Sequence, residues 1–263
     1  MNLITRQKLI IDKIKMQGEV TTKELTEELN VSSMTIRRDF QALEKIGKIQ
    51  LTHGGAILKD YALERPMSYK EAKYVAEKKA IANFAASFVR EGDIVFIETG
   101  STTQAIVGEL TEKNNLTVHT NSIMAANTLA NFENISLYMA PGEYRELSKG
   151  FVGPLTNKYI KQFYYDVAFL GTEGIDLIFG LSVPNLDDAL AKKSLIENAK
   201  KVILVADHSK FEQKFLCKIC DLKKIAHIIT DEHLSNEIYE QYTKKGINIT
   251  RVKIDLINSQ NFR

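Results

Sequence analysis

The densest pattern of apolar and polar positions in this chain lies between residues 31 and 45. Ile36, Phe40 and Leu43 fall at i, i+4 and i+7, one face of a helix. Met34, Arg38, Gln41 and Lys45 project from the opposite face, with Thr35 and Arg37 on its flanks. Such a helix buries one side and offers the other, with two adjacent arginines, to a groove and its phosphates. An ordinary solvated helix has the same pattern, so the flanks decide. Upstream, Leu9, Ile10 and Ile14 form a helical stripe that runs to Gly18. Thr21 or Thr22 caps a second helix carrying Leu25 and Leu29, and Glu24 lies at capping-box spacing from Thr21. Asn30 ends that helix in a turn, and Ser32 or Ser33 caps the third. Helix, helix, short turn and helix make a helix-turn-helix. The alternating run Ile49-Gln50-Leu51-Thr52, then His53-Gly54-Gly55-Ala56, predicts a strand and a tight hairpin, a wing. Ser32, Ser33, Met34, Thr35, Arg37, Arg38, Gln41, His53, Gly54 and Gly55 are therefore the expected DNA-binding residues. Asp39 sits nearer the apolar face and reads as structural, orienting Arg37 or Arg38.

From Leu58 to about Tyr74 the periodicity fades, and Glu64-Arg65-Pro66-Met67 interrupts any helix. This divides the chain into a DNA-binding domain over 1–58, a linker over 59–75 and a second domain over 76–263. The second domain opens with a helical run from Ala76 to Arg90, with Ile81, Phe84, Ala85 and Phe88 on one side. Short apolar runs follow at 94–97, 116–119, 135–138, 167–170, 202–205 and 227–230. Helical stretches lie between most of them, for example Gln104 to Leu110 and Asp187 to Ala199. Continuous apolar strands alternating with helices predict a parallel sheet covered on both faces.

Composition narrows this picture. A formal net charge of only +2 excludes a uniformly basic nucleic-acid binder, so DNA affinity must come from a local patch. The 44% hydrophobic fraction is enough for a sizeable core. No run of about 18 apolar residues marks a transmembrane helix, and the N-terminus lacks a signal-peptide core, so a cytoplasmic protein with no membrane partner is expected. Cys217 and Cys220 form a lone C-x-x-C, with His227 and His233 downstream. His227 falls inside an apolar run and no second tight ligand pair exists, so no metal and no cofactor are expected.

In an open parallel sheet, ligands bind beyond the carboxyl ends of the strands. The polar loops there are Glu98-Thr99-Gly100-Ser101-Thr102-Thr103, Thr120-Asn121-Ser122, Pro141-Gly142-Glu143-Tyr144-Arg145, Gly171-Thr172-Glu173-Gly174 and Asp207-His208-Ser209-Lys210. The first is small, rich in hydroxyls and leads into a helix, so it offers free N–H groups and a favourable dipole to a phosphate. Helix capping by Ser101 or Thr102 is the plainer alternative.

Two sets of residues carry a family resemblance. Glu24-Leu25, Val31-Ser32, Thr35-Ile36-Arg37-Arg38-Asp39, Leu43-Glu44 and His53-Gly54-Gly55-Ala56 resemble the winged helix-turn-helix of DeoR-type bacterial transcriptional regulators. Gly100-Ser101-Thr102-Thr103, Thr120-Asn121-Ser122, Gly142 with Arg145, Gly153, Phe169-Leu170-Gly171, Lys192-Lys193 and Asp207-His208-Ser209-Lys210 resemble the same family's sensor domain. Phe40 stands where leucine is more usual, and Pro141-Gly142 departs from the usual double glycine. The resemblance implies an α/β chain, an N-terminal winged helix-turn-helix followed by an open, mostly parallel α/β sensor domain similar to ribose-5-phosphate isomerase. It implies a repressor of sugar-metabolism genes, homo-oligomeric through its sensor, released from operator DNA by a phosphorylated sugar or related metabolite. The effector-binding residues would be Gly100, Ser101, Thr102, Thr103, Thr120, Asn121, Arg145, Glu173, Lys192, Lys193, Asp207 and Lys210. Activation instead of repression is an open alternative. A second is a sugar-phosphate isomerase with a DNA-binding appendage. For that enzyme the expected acids are replaced at Gly171, Gly174 and Lys192, and Glu173 remains as a candidate base.

Overall fold

The computed structural model describes residues 2–58 and 64–254. The chain forms two compact units, Met1–Lys73 and Tyr74–Arg263.

The first unit starts with helix α1 (Leu3–Gln17), capped by Asn2, which ends at Gly18 in the left-handed region (φ 81°). A short strand β1 (Val20–Thr21) leads to α2 (Thr22–Leu29), and Thr21 Oγ1 accepts the Glu24 N–H at 3.1 Å. Asn30 turns the chain with φ 49°. Helix α3 (Ser33–Lys45) is capped by Ser32, whose Oγ accepts the Thr35 N–H at 3.2 Å. Strands β2 (Ile49–Thr52) and β3 (Gly55–Leu58) form the wing hairpin, and β1 pairs with β3 to make a small antiparallel sheet. Ile10, Ile14, Leu25, Ile36, Phe40 and Leu43 close the core with Val20, Ile49 and Ala56. Leu9, expected on the same stripe, is exposed instead.

Asp39 does not orient Arg37 or Arg38. It is 1% exposed and holds Arg6 of α1 through both carboxylate oxygens, one of them at 3.1 Å from Nη2. The pair spans 33 residues and ties α3 to α1.

The expected linker also differs. Residues 59–63 lie outside the described residues, but 64–73 group with the first unit, and a helix α4 (Met67–Ala72) starts directly after Pro66. Proline fits ahead of a helix, where no N–H is needed. Met67 is buried, Arg65 Nη1 donates to Gly18 O at 3.1 Å, and Ser68 Oγ donates to Met16 O at 2.9 Å. A Cβ on Gly18 would sit 2.7 Å from Tyr69 Cβ, so this glycine both ends α1 and admits α4.

The second unit begins with α5 (Val75–Ala86) and continues as β4 (Ile94–Ile97), α6 (Ser101–Leu110), β5 (Leu116–Thr120), α7 (Ile123–Leu129) and β6 (Ile135–Met139). A hairpin of β7 (Glu143–Arg145) and β8 (Gly150–Val152) precedes α8 (Pro154–Ile160) and β9 (Tyr165–Leu170). Then come β10 (Gly174–Asp176), β11 (Gly180–Val183), α9 (Leu186–Glu197), β12 (Ala199–Val205), β13 (Cys217–Cys220), β14 (His227–Asp231), α10 (Asn236–Lys244) and β15 (Ile249–Val252). Seven strands form one parallel sheet in the order β15-β14-β12-β9-β4-β5-β6. Alternate residues enter opposite cores. Phe96, Ala168, Leu170 and Leu204 pack with α8, α9 and α10, whereas Val95, Ile97, Val167, Phe169 and Ile203 pack with α5, α6 and α7. β10, β11 and β13 form a separate antiparallel sheet. All six expected strands are present, and β15 is a seventh the apolar pattern did not predict.

The strand order reverses between β4 and β9. Chain leaving β4 runs toward β5 and β6, and chain leaving β9 runs toward β12, β14 and β15. At such a switch point an open parallel sheet offers a ligand crevice beyond the strands' carboxyl ends.

Candidate functional site

On the first unit, Ser33, Met34, Arg37, Arg38 and Gln41 are exposed on α3, opposite Ile36, Phe40 and Leu43. They form two strips. Ser33, Arg37 and Gln41 line a groove of about 640 Å³ with Lys23 and Thr26 of α2 and Thr52 and Gly54 of the wing. Met34 and Arg38 lie one turn apart on the neighbouring strip. Neither Arg37 nor Arg38 has an ion-pair partner among the described residues, so both guanidinium groups remain open to phosphate or base edges. Ser32 and Thr35 engage each other, Oγ to Oγ1 at 2.9 Å, at the helix start. His53 and Gly54 form the exposed wing tip. Gly55 is buried, and a Cβ there would stand 2.2 Å from Val20 O, so its role is to let β3 approach β1.

On the second unit, the parallel strands bring the five polar loops to one edge of the sheet. Gly100 occupies the N-cap of α6 without any side-chain cap, so the first N–H groups of this helix are not engaged by a capping side chain. Thr102 and Thr103 are buried, Ser101 half-buried. Several expected ligand groups hold the loops together instead. Thr103 Oγ1 donates to Gly100 O at 2.9 Å, and Thr120 Oγ1 donates to Ile97 O at 2.7 Å. Asn121 accepts the Thr99 N–H at 3.0 Å and donates to Phe151 O at 3.1 Å, joining β4, β5 and the β7–β8 hairpin. Asp207 accepts the Ser209 N–H at 3.1 Å.

The cations of the crevice are matched to carboxylates. Lys192 pairs with Glu98, Arg145 with Asp188 at 3.2 Å, and Lys210 with Glu173 at 2.6 Å. Glu98 is 2% exposed and accepts the Gly171 N–H at 3.4 Å, across the switch point. Burial pushes its carboxyl up to about 7. Lys192 opposes that shift and Asp188 adds to it. Sequence reading placed Glu98 in the first loop but assigned it no role, and did not single out Asp188. The signal was a carboxylate directly after an apolar strand, at its carboxyl end. Lys193 forms no ion pair with these carboxylates among the described residues. Burial pushes the Cys220 thiol up to about 11, with Lys224, Lys218 and Lys193 opposing that shift.

No group of three or more His, Cys, Asp and Glu among the described residues is arranged to hold a metal. His227 bonds Thr250 Oγ1 at 2.8 Å and Asn248 Nδ2 at 2.9 Å. His119 stacks on Tyr138 and bonds Tyr159 Oη at 2.9 Å, and burial lowers its pKa to about 4. No described helix is long and apolar enough to cross a membrane.

A winged helix with open arginines, on a chain whose second unit carries a switch-point crevice, defines a DNA-binding regulator with its own ligand-type domain. The model of the DeoR-like helix-turn-helix domain matches residues 6–61, and that of the DeoR C terminal sensor domain matches residues 73–232. The chain belongs to the DeoR family of transcriptional regulators. The uncharacterized HTH-type transcriptional regulator YulB of Bacillus subtilis (strain 168) is 35% identical over 250 residues, covering 95% of this chain and 96% of that one. The glycerol-3-phosphate regulon repressor of Escherichia coli (strain K12) is 35% identical over 222 residues, covering 84% and 88%. The ribose 5-phosphate isomerase A of Methanocaldococcus jannaschii matches with a TM-score of 0.39 and 20% identity, over 52% of this chain and 54% of that one. Family and relatives indicate a DNA-binding transcriptional regulator rather than an enzyme.

Proposed function

We propose that this protein represses genes of sugar metabolism and leaves its operator when a phosphorylated sugar fills the crevice of its second unit. The observation that carries the reading is the loop 98–103, which runs from the switch-point end of β4 into the uncapped start of α6. Free N–H groups there suit a phosphate. The names of two relatives fit: the glycerol-3-phosphate regulon repressor and a putative aga operon transcriptional repressor of Escherichia coli O157:H7. Residues of α3 read the operator from the major groove, and the wing tip His53-Gly54 touches its backbone. One module of this size gives limited specificity, so two or more copies bind repeated half-sites, joined through their second units, in the cytoplasm. Ligand lowers operator affinity by favouring the arrangement that does not bind DNA, typically about 5–150-fold.

The test is a thermal-shift screen of sugar phosphates on the full-length protein, because a specific ligand stabilises the fold by mass action. Thr102→Asp places a negative charge at the start of α6. It should abolish ligand stabilisation and ligand-driven release while operator binding persists. Release at the wild-type ligand concentration would show that the phosphate sits elsewhere.

A further inference from the structure

The amino ends of β12 and β14, at the far end of the sheet from the crevice, carry a concentration of lysines. Lys200 and Lys201 stand at the start of β12. At about 3.3 Å per residue, Lys200 is roughly 17 Å from Val205, the last residue of the strand. Val202 O accepts the Ala226 N–H at 3.0 Å, which sets the chain leading into β14 beside the start of β12. A single 3-10 turn there, Leu222–Lys224, brings in Lys223 and Lys224. Lys218 of β13 and Lys193 of α9 complete the group. Lys224, Lys218 and Lys193 all act on the Cys220 thiol, and Lys218, Lys224 and Lys223 all act on the Asp221 carboxyl. Lys200, Lys201, Lys218, Lys223 and Lys224 are exposed. Lys218 pairs with Asp221 at 2.6 Å. Lys193, Lys200, Lys201, Lys223 and Lys224 have no ion-pair partner among the described residues.

Scattered exposed lysines are ordinary on a protein surface, but two features set this group apart. Its backbone is fixed: β12 lies inside a seven-stranded sheet, and buried Leu222 and Ile225 anchor the turn that bears Lys223 and Lys224. Its charge is also uncompensated. The hydrogen bond from Lys218 holds the Asp221 carboxyl below the usual carboxylate range, and Lys224 and Lys223 add to that effect. The whole chain has a formal net charge of only +2, so this positive field is local. Cations fixed side by side repel one another, and an anion with regularly spaced charges relieves the repulsion. Lysine is a point charge without the planar fork of arginine, which suits phosphates better than base edges.

We propose that this face of the second unit is a further DNA-contact surface, which holds the phosphate backbone of duplex DNA without reading its sequence. DNA is the polyanion that a DeoR-family regulator engages through its winged helix. The two units belong to one chain, so DNA held by the first is at raised local concentration for the second. The affinity of the full-length protein then includes a sequence-independent share that the recognition helix does not supply.

The experiment uses the full-length protein and a random-sequence duplex of about 60 base pairs, titrated by fluorescence anisotropy between about 50 and 200 mM salt. Each phosphate neutralised contributes about 0.9 to the slope of log K against log salt. Lys200→Gln/Lys223→Gln/Lys224→Gln should therefore reduce that slope by about two to three. Lys79→Gln/Lys149→Gln/Lys253→Gln removes the same charge away from this face and should leave the slope unchanged. An unchanged slope in a Lys200/Lys223/Lys224 variant that melts like the wild type overturns the proposal. So does an equal drop in the two triple variants, the result that net charge alone would give. A Lys200/Lys223/Lys224 variant that changes its mass in sedimentation but keeps the wild-type slope also overturns it, because the face then meets an acidic protein surface instead of DNA.

Discussion

Removing Arg6 should harm the DNA-binding unit more than removing Asp39, although the two form one ion pair. The reason is where each charge is left. Side-chain exposure is 11% for Arg6 and 1% for Asp39. In Arg6→Met the Asp39 carboxylate stays between α1 and α3 with no cation and no route to water. Breaking a buried pair this way costs about 3–5 kcal/mol. In Asp39→Ala the Arg6 guanidinium sits on a long stem at the rim and can turn outward, so the loss should be about 1–2 kcal/mol. A unit of this size has roughly 4–11 kcal/mol of total stability, so the first change is severe and the second tolerable. The double replacement Arg6→Met/Asp39→Leu removes both charges and should be more stable than Arg6→Met alone. Hydrogen exchange on the full-length protein, read at the slowest amides of α1 and α3, measures these differences directly. Equal losses in the two single variants, or a larger loss in Asp39→Ala, would refute the argument.

Arg38→Ala should weaken operator binding with the fold intact. Loss of a base contact would cost about 1–3 kcal/mol and relax specificity at one position, whereas loss of a phosphate contact would lower the salt slope by about one. Unchanged DNA binding in a folded Arg37→Ala/Arg38→Ala protein would remove α3 from the interface. Gly55→Ala forces a Cβ to 2.2 Å from Val20 O, so β1 and β3 must part, and exchange protection at Val20 and Ala56 should drop by tenfold or more, about 1.4 kcal/mol. Glu98 binds its proton more tightly when folded, at about 7 against an ordinary 4.5, so its contribution to stability declines as pH rises through that window and is flat above it. Glu98→Gln should flatten the melting-temperature profile there; parallel profiles would contradict the assignment. A fragment of residues 1–73 should be more stable than one of 1–58, because Arg65, Met67 and Ser68 fasten α4 to α1; equal stability would show that α4 adds nothing.

Features with a local period were legible in the sequence. The apolar face of α3 and six parallel strands repeat within a few residues and stand where the pattern put them, and of the two serines open as the α3 cap the structure uses Ser32. The parts that escaped rest on distant partners or short spans. Nothing near Asp39 announces Arg6, 33 residues away. β7 is only Glu143–Arg145, three polar or amphipathic residues whose pairing depends on β8 and on Asn121. β15 alternates Ile249-Thr250-Arg251-Val252, an edge-strand pattern weaker than the continuous apolar runs. The polar segments at the sheet's carboxyl edge were readable because every one follows a strand, although residues 143–145 of one of them form β7. That Lys192, Arg145 and Lys210 already have carboxylate partners was not, since each pair is closed by tertiary structure.

The strand order has a consequence for the newly made chain. β4 finds β5 soon after it is synthesised, but its other neighbour, β9, starts only at Tyr165, and the cation for Glu98 comes at Lys192. The winged helix closes on contacts within residues 1–73 and waits for nothing downstream. At roughly 5–20 residues per second, the ribosome completes the DNA reader about 6–24 s before the crevice can exist. During that interval the nascent protein holds a finished recognition helix without the sheet edge of its second unit.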